Sequence, residues 1–428
     1  MRPTPFTSPA YLLRWLAVLT LSILLAACGG GGDSGGNSGS GSGSGSGGNS
    51  GNTSPISGGP TAQPIAATAA NTVPITVGPG AQNFVNIPNV TVTVCVPGTS
   101  TCQTINNIQL DTASYGLRLA SNAAAQIVSA LKINTSASGG QLAECTQFAD
   151  GFVWGTVRTA DVKIGGETAR SVPIQVIGDL NASTVPATNC INGANESTSA
   201  DLGANGILGI GVSATDCGTA CADAVLSNYY SCPSGTNCTL AGVPVASQVT
   251  NPVTRFAVDN NGVIVQLPPL QGPAPSVAGT LVFGIGTQSN NALMGVTTYQ
   301  SDNTGTINGT YKGAAVGTFF DTGSNGMFFN DSSLPLCTSS FTDFYCPTST
   351  QSLSATVSGV NGATTGTVNF SVVNAQTLGA NGSNFALPGL AGSYGGGSGL
   401  FNFGLPFFFG RHVYYGFASA SATPYVGF

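Results

Sequence analysis

The chain has 428 residues, enough for one large or two medium domains, and only 6 % of them are charged. Lys and Arg number 10 against 16 Asp and Glu, a formal charge of −6 with no visible basic patch, which argues against nucleic acid as a partner. A single histidine, His412, excludes any site that needs several imidazoles, and a Ser/His/Asp triad would have to use it. No lysine follows the glycine spacing of a phosphate-binding loop. The 61 glycines and 24 prolines, set among many Thr, Val, Ser and Asn residues, point to strands and turns rather than helices.

In chain order, the N-terminus carries Arg2, then Tyr11-Leu-Leu-Arg14, then an apolar run from Trp15 to Ala27. This is the pattern of a secretory leader, and it is too short for a comfortable membrane span. It ends in Leu25-Ala26-Ala27-Cys28, which resembles the lipobox of bacterial lipoproteins. That resemblance implies cleavage after residue 27 and lipidation of Cys28. Removal of Arg2 and Arg14 with the leader would leave the mature chain at −8. Residues 28–60 are nearly all Gly, Ser and Asn. Such a stretch cannot bury apolar surface, so it is expected to stay disordered and to reach on the order of 30 Å from the anchor. Gly29 follows the cysteine, which by analogy with lipoproteins favours the outer membrane, on its periplasmic face or at the cell surface.

Of 11 cysteines, ten remain once Cys28 is set aside. An even number in an exported chain reads as disulfides rather than as a metal site. Cys95 and Cys102, Cys217 and Cys221, Cys232 and Cys238, and Cys337 and Cys346 are close in sequence, while Cys145 and Cys190 could close a longer loop. The spacing makes this pairing reasonable without fixing it.

Two segments share one pattern. The first is Ile108-Gln-Leu-Asp111-Thr-Ala-Ser-Tyr-Gly-Leu-Arg-Leu119, and the second is Thr318-Phe-Phe-Asp321-Thr-Gly-Ser-Asn-Gly-Met-Phe-Phe329. Each has an apolar strand, Asp-Thr-small-Ser, and an apolar return, with the aspartates 210 residues apart. Downstream lie Asn205-Gly-Ile-Leu-Gly209-Ile-Gly211 and Gly404-Leu-Pro-Phe-Phe-Phe-Gly410. Pairing Asp111 with Gly209 and Asp321 with Gly410 gives similar gaps of 98 and 89 residues, which suggests two related lobes.

These motifs resemble those of pepsin-like aspartic proteases, in a bacterial lipoprotein branch of unassigned function. The family carries Asp-Thr-Gly-Ser in each lobe and a hydrophobic-hydrophobic-Gly segment threading beside each aspartate loop. Gly279-Thr-Leu-Val-Phe-Gly284 is similar to the strand that opens the family's second lobe, and Phe407 to Phe417, with Arg411 and Tyr414-Tyr415, to its closing segment. The resemblance implies an all-β, two-lobed fold, divided here at 61–252 and 253–428. It implies that Asp111 and Asp321 share one proton and activate a water. Thr112 and Thr322 would bond across the lobe interface, Ser114 and Ser324 would bond the outer carboxylate oxygens, and Gly323 would let the backbone approach. Gly209 and Gly410 would mark the threading segments. The implied activity is endopeptidase hydrolysis with a peptide or protein substrate, no cofactor, and a monomer held at the membrane by its lipid.

Three departures matter. Ala113 stands where the family has glycine. Phe148, in Glu144-Cys-Thr-Gln-Phe-Ala-Asp-Gly-Phe-Val-Trp154, falls where a flap tyrosine is usual, and Phe cannot hydrogen-bond. Arg118 replaces the tryptophan usual after the first aspartate loop. They leave open a catalytically weak or silent module that binds a peptide or an envelope partner.

Overall fold

A computed structural model describes residues 59–187, 190, 193–395 and 399–428. The leader (1–27), Cys28 and nearly all of the linker lie outside the described residues. Among the described residues the only α-helices are two single turns, Ser199–Leu202 and Ala375–Leu378, and the rest of the regular structure is strands with short 3-10 turns.

The alternation of small β-branched and polar residues sets the strands. In Pro88–Cys95, Val90, Val92 and Val94 are buried while Thr91 is exposed, the period-two pattern of a half-buried sheet. Six strands close on themselves in the first lobe. Pro88–Cys95 pairs with Cys102–Asp111, which pairs in turn with Gly206–Ile210, Tyr115–Ala120, Glu167–Ile177 and Gly151–Ile164, and Gly151–Ile164 pairs back to Pro88–Cys95. Closure removes the free edges that would otherwise invite pairing with other chains. The second lobe is a 7-stranded sheet in the order Thr365–Val372, Gln351–Ser358, Ile307–Tyr311, Ala314–Asp321, Leu400–Gly404, Met327–Phe328, Ala391–Gly392.

The lobes are joined by shared strands. Thr72–Val77 pairs with the first lobe's Pro88–Cys95 and with Val277–Phe283, and the run continues through Gly262–Gln266, His412–Gly416, Tyr425–Gly427 and Thr298–Gln300. The strand expected to open the second lobe, within 279–284, therefore belongs to this shared layer. The core runs through all three parts, from Leu110 and Leu208 to Phe320, Phe403 and Tyr415.

The five disulfides are Cys95–Cys102, Cys145–Cys190, Cys217–Cys221, Cys232–Cys238 and Cys337–Cys346. The pairs close in sequence staple short loops. Cys145–Cys190 ties the strand Gln141–Gln147 to the segment beyond the first barrel.

Candidate active site

Each lobe repeats one local construction. Cys102–Asp111 and Tyr115–Ala120 flank the first aspartate loop but do not pair with each other. Gly206–Ile210 lies between them, parallel to the first and antiparallel to the second. The second lobe does the same with Ala314–Asp321, Met327–Phe328 and Leu400–Gly404. The register places Asp111 opposite Gly209 and Asp321 opposite Gly404. Both glycines are demanded by contact. A Cβ on Gly209 would lie 2.6 Å from the Tyr115 amide nitrogen, and one on Gly404 would lie 2.0 Å from the Gly326 carbonyl oxygen. The threading glycine of the second lobe is thus Gly404, and the expectation of Gly410 is corrected. Gly410 lies six residues on, in the left-handed region at φ +76°, where its backbone packs against Pro60. Equal spacing misled because Gly404 and Gly410 both close an apolar run after Asp321, and only the strand register distinguishes them.

Within each loop the carboxylate folds back onto its own turn. Asp111 Oδ1 accepts from the amides of Ala113 (2.8 Å) and Ser114 (3.2 Å), and Oδ2 accepts from Ser114 Oγ (2.5 Å). Asp321 Oδ1 accepts from the Gly323 amide (2.8 Å), and Oδ2 accepts from Ser324 Oγ (2.5 Å). A turn capped by its own aspartate needs no partner lobe. The threonines show that these loops have one. Thr112 Oγ1 donates to the Phe320 carbonyl (3.0 Å) and accepts from the Thr322 amide (3.0 Å). Thr322 Oγ1 donates to the Leu110 carbonyl (2.7 Å) and accepts from the Thr112 amide (3.2 Å). The exchange is reciprocal and fully buried, so each loop satisfies backbone groups that the other would leave unpaired.

This lock brings the two carboxylates together over Gly323. A Cβ built on Gly323 would lie 3.0 Å from Asp111 Oδ1 and 3.0 Å from Asp321 Oδ1. The two inner oxygens can therefore be no farther apart than twice that distance. Both aspartates are buried. Burial, and then the charge of Asp111, push Asp321 up to about 7. One proton held between two such carboxylates is the arrangement that lets one act as acid while the other acts as base.

Several site residues were not foreseen. Asn402 Nδ2 donates to Ser324 Oγ (2.7 Å) and to Asp321 Oδ2 (3.3 Å). Gln109 Nε2 donates across the interface to the Gly323 carbonyl (2.9 Å). Tyr415 Oη donates to the Phe320 carbonyl (2.8 Å), so the shared sheet also reaches the lock. Tyr115 and Tyr394 both have raised phenol groups, first by burial. Asp321 adds to this for Tyr394, which reaches about 12, while Asp302 and then Asp111 add to it for Tyr115. Asn402 and Tyr394 lie outside the quoted motifs, and nothing in the motif segments marks Gln109, Tyr115 or Tyr415 as partners of the loops. The register alone brings Asn402 and Gln109 to the loops.

The expected flap segment is a hairpin, with Gln141–Gln147 antiparallel to Gly151–Ile164. Phe148 sits half-buried at its turn, its amide donating to the Gly151 carbonyl (2.8 Å). Trp154 faces the opposite task. It is buried edge-on against Tyr230 with Nε1 donating to Thr184 Oγ1 (3.1 Å), an ordinary packing role. Arg118 is fully buried and ties the first loop to this hairpin. It donates to the Tyr115 carbonyl (2.6 Å), to Thr146 Oγ1 (3.0 Å), to Glu144 (2.9 Å) and to Asp216 (3.0 Å). Burial and Glu144's charge hold the Asp216 carboxyl well above the usual range, even beside the guanidinium. Among the described residues no group of three or more His, Cys, Asp or Glu is placed to hold a metal ion.

No curated protein matches the sequence. Among solved structures, the chain is similar to an aspartic proteinase from Irpex lacteus, with 17 % identity over 84 % of this chain and 97 % of that one, and a TM-score of 0.47. Residues 67–428 match the family model described as "Protein of unknown function (DUF3443)", and the chain belongs to that family.

Proposed function

We propose that the chain is a pepsin-like aspartic endopeptidase that hydrolyses peptide bonds with a water activated between Asp111 and Asp321. The observation that carries this reading is the reciprocal threonine lock, which sets two buried carboxylates on either side of Gly323. Asp321, raised to about 7, keeps a proton up to that pH and donates it toward the scissile carbonyl. The charged partner takes a proton from the attacking water, and no covalent intermediate forms. Asp111 fits that partner's role because its Oδ1 shares the space over Gly323 with Asp321 Oδ1. The proposal extends to a monomer tethered by a lipid on Cys28, at the periplasmic face of the outer membrane or at the cell surface, acting on peptide or protein substrates without a cofactor. The five disulfides are compatible with an exported chain.

One observation favours a second reading, a module that binds peptides without cutting them. Ala113 puts a methyl group at the loop position where the other lobe needs glycine. An unbiased peptide library incubated from pH 3 to 8, with and without pepstatin, separates the two. Cleavage that pepstatin blocks and that Asp111→Asn and Asp321→Asn abolish supports the endopeptidase. Peptide binding without cleavage, persisting in Asp111→Asn, supports the silent module.

A further inference from the structure

The two lobes differ at one position directly behind the aspartate loops. In the first lobe Gln109 stands opposite Ile207, two residues before the threading glycine. In the second Phe319 stands opposite Asn402, at the same register. Ile207 and Asn402 are equally buried, each 4 % exposed, so an aliphatic side chain fills this position adequately. Asn402 fills it at a cost, because its Oδ1 is buried without a hydrogen-bond partner. A residue present only to fill the core would not bring that penalty. Its amide nitrogen, by contrast, is fully used on Ser324 Oγ (2.7 Å) and Asp321 Oδ2 (3.3 Å).

We infer that Asn402 is a positioning residue that confines the shared proton to the inner oxygen of Asp321. The inference rests on the two-aspartate reading above. A serine hydroxyl has one proton. With Asn402 donating to Ser324 Oγ, that proton is directed onto Asp321 Oδ2, which lies 2.5 Å away. Oδ2 then accepts two donors and has no place for a proton of its own. A proton on Asp321 must sit on Oδ1, the oxygen that shares the space over Gly323 with Asp111. Ile207 can offer Ser114 no such donor, so in the first lobe only the bond to Asp111 Oδ2 orients the hydroxyl. The chain Asn402 to Ser324 to Asp321 therefore makes the pair directional. It also favours the charged form of Asp321, so its loss raises the pH at which the pair gives up its last proton.

The test is a titration of the full chain carrying 13Cγ-labelled aspartate, followed by NMR from pH 3 to 9, with Asp321→Asn to assign the signal. Asn402→Ile installs the first-lobe residue, and Asn402→Leu is nearly isosteric should the first variant fail to fold. The expected result is an upper step moved to higher pH by about one unit, because a hydrogen bond to the charged form has been removed. In a Ser324→Ala background, where the relay is already cut, the same substitution should move the step by less than half as much. An unchanged upper step in a folded Asn402 variant would overturn the inference, since a merely structural amide would alter melting but not this midpoint. A wild-type Asp321 signal with no step displaced from the ordinary carboxylate range would instead overturn the underlying dyad.

Discussion

Asp111 is backed by aliphatic side chains, with Leu110 opposite Leu208, whereas Asp321 is backed by Phe320 stacked on Phe403 at 5.2 Å and tilted against Phe407 at 4.7 Å. Seven residues after each aspartate the contrast sharpens. Arg118 lies beside Ile207 in the first lobe, and Phe328 lies beside Asn402 in the second. The aspartate, threonine and serine of the loop and its threading glycine recur in both lobes, while the polar support has moved. The first lobe places a buried cation toward the hairpin, and the second places an amide toward the carboxylate itself. What the fold needs in duplicate is the backbone geometry. The electrostatic surroundings can diverge as long as each buried polar group finds a partner.

The comparison can be broken hardest at Arg118. Arg118→Met leaves Glu144 and Asp216 buried around no cation, and loss of one partner of a buried pair costs about 3–5 kcal/mol. Denaturant unfolding should show that loss. Phe328→Leu, the same position in the second lobe, involves no charge and trims a half-buried ring packed on Phe344, so it should cost about 1–2 kcal/mol.

The lock between the lobes comes next. Thr112→Val and Thr322→Val keep the shape but each strands an amide of the opposite loop, and Thr322→Val also takes a donor from the Leu110 carbonyl, whereas the Phe320 carbonyl keeps Tyr415 Oη. Each should cost about 1–3 kcal/mol for the unsatisfied groups. The two substitutions together should cost less than their separate effects added, because they remove one shared exchange. Strict additivity would mean that the loops are held independently.

Gly323 and Ala113 test the asymmetry at the loops. A methyl on Gly323 would meet both carboxylates at 2.9–3.0 Å, so Gly323→Ala should lower stability by about 1–3 kcal/mol, as overpacking does, and abolish hydrolysis. Ala113→Gly should change stability by about 1 kcal/mol or less. If it raises the cleavage rate, the methyl accounts for weak activity. If it leaves binding without cleavage, the silent module is favoured.

The last comparison concerns stability against pH. Asp321 is raised to about 7 in the fold, above its ordinary value of 3.8, so the folded chain holds a proton that the unfolded chain releases. Stability from this group is present below the unfolded value and is lost as pH rises through about 7. Asp321→Asn cannot ionise, so its stability should fall less between pH 4 and 7 than that of the wild type, measured by urea unfolding at each pH.

The duplicated Asp-Thr-small-Ser motif made the two lobes legible, because chain-local residues build each loop and the second copy sits at a fixed offset. The disulfides were legible for the same reason, with four of the five closing loops of at most nine residues of separation. Gly404 was not, since which glycine threads depends on strand register. Asn402 was invisible because its partner Asp321 is 81 residues away and nothing local marks an asparagine in an apolar strand as polar in purpose. Arg118 read as a loss, the absence of a tryptophan, and only burial beside Glu144 and Asp216 shows it to be a replacement with its own tie to the hairpin.

The most direct test is a pH–rate profile for cleavage of a peptide selected from the library, run with the wild type and Asp321→Asn. The account predicts hydrolysis whose upper limb falls near pH 7, where Asp321 loses its proton, and none from the variant. Hydrolysis that survives Asp321→Asn, a profile with no activity above pH 5, or no hydrolysis at any pH from a folded and fully disulfide-bonded chain would contradict it.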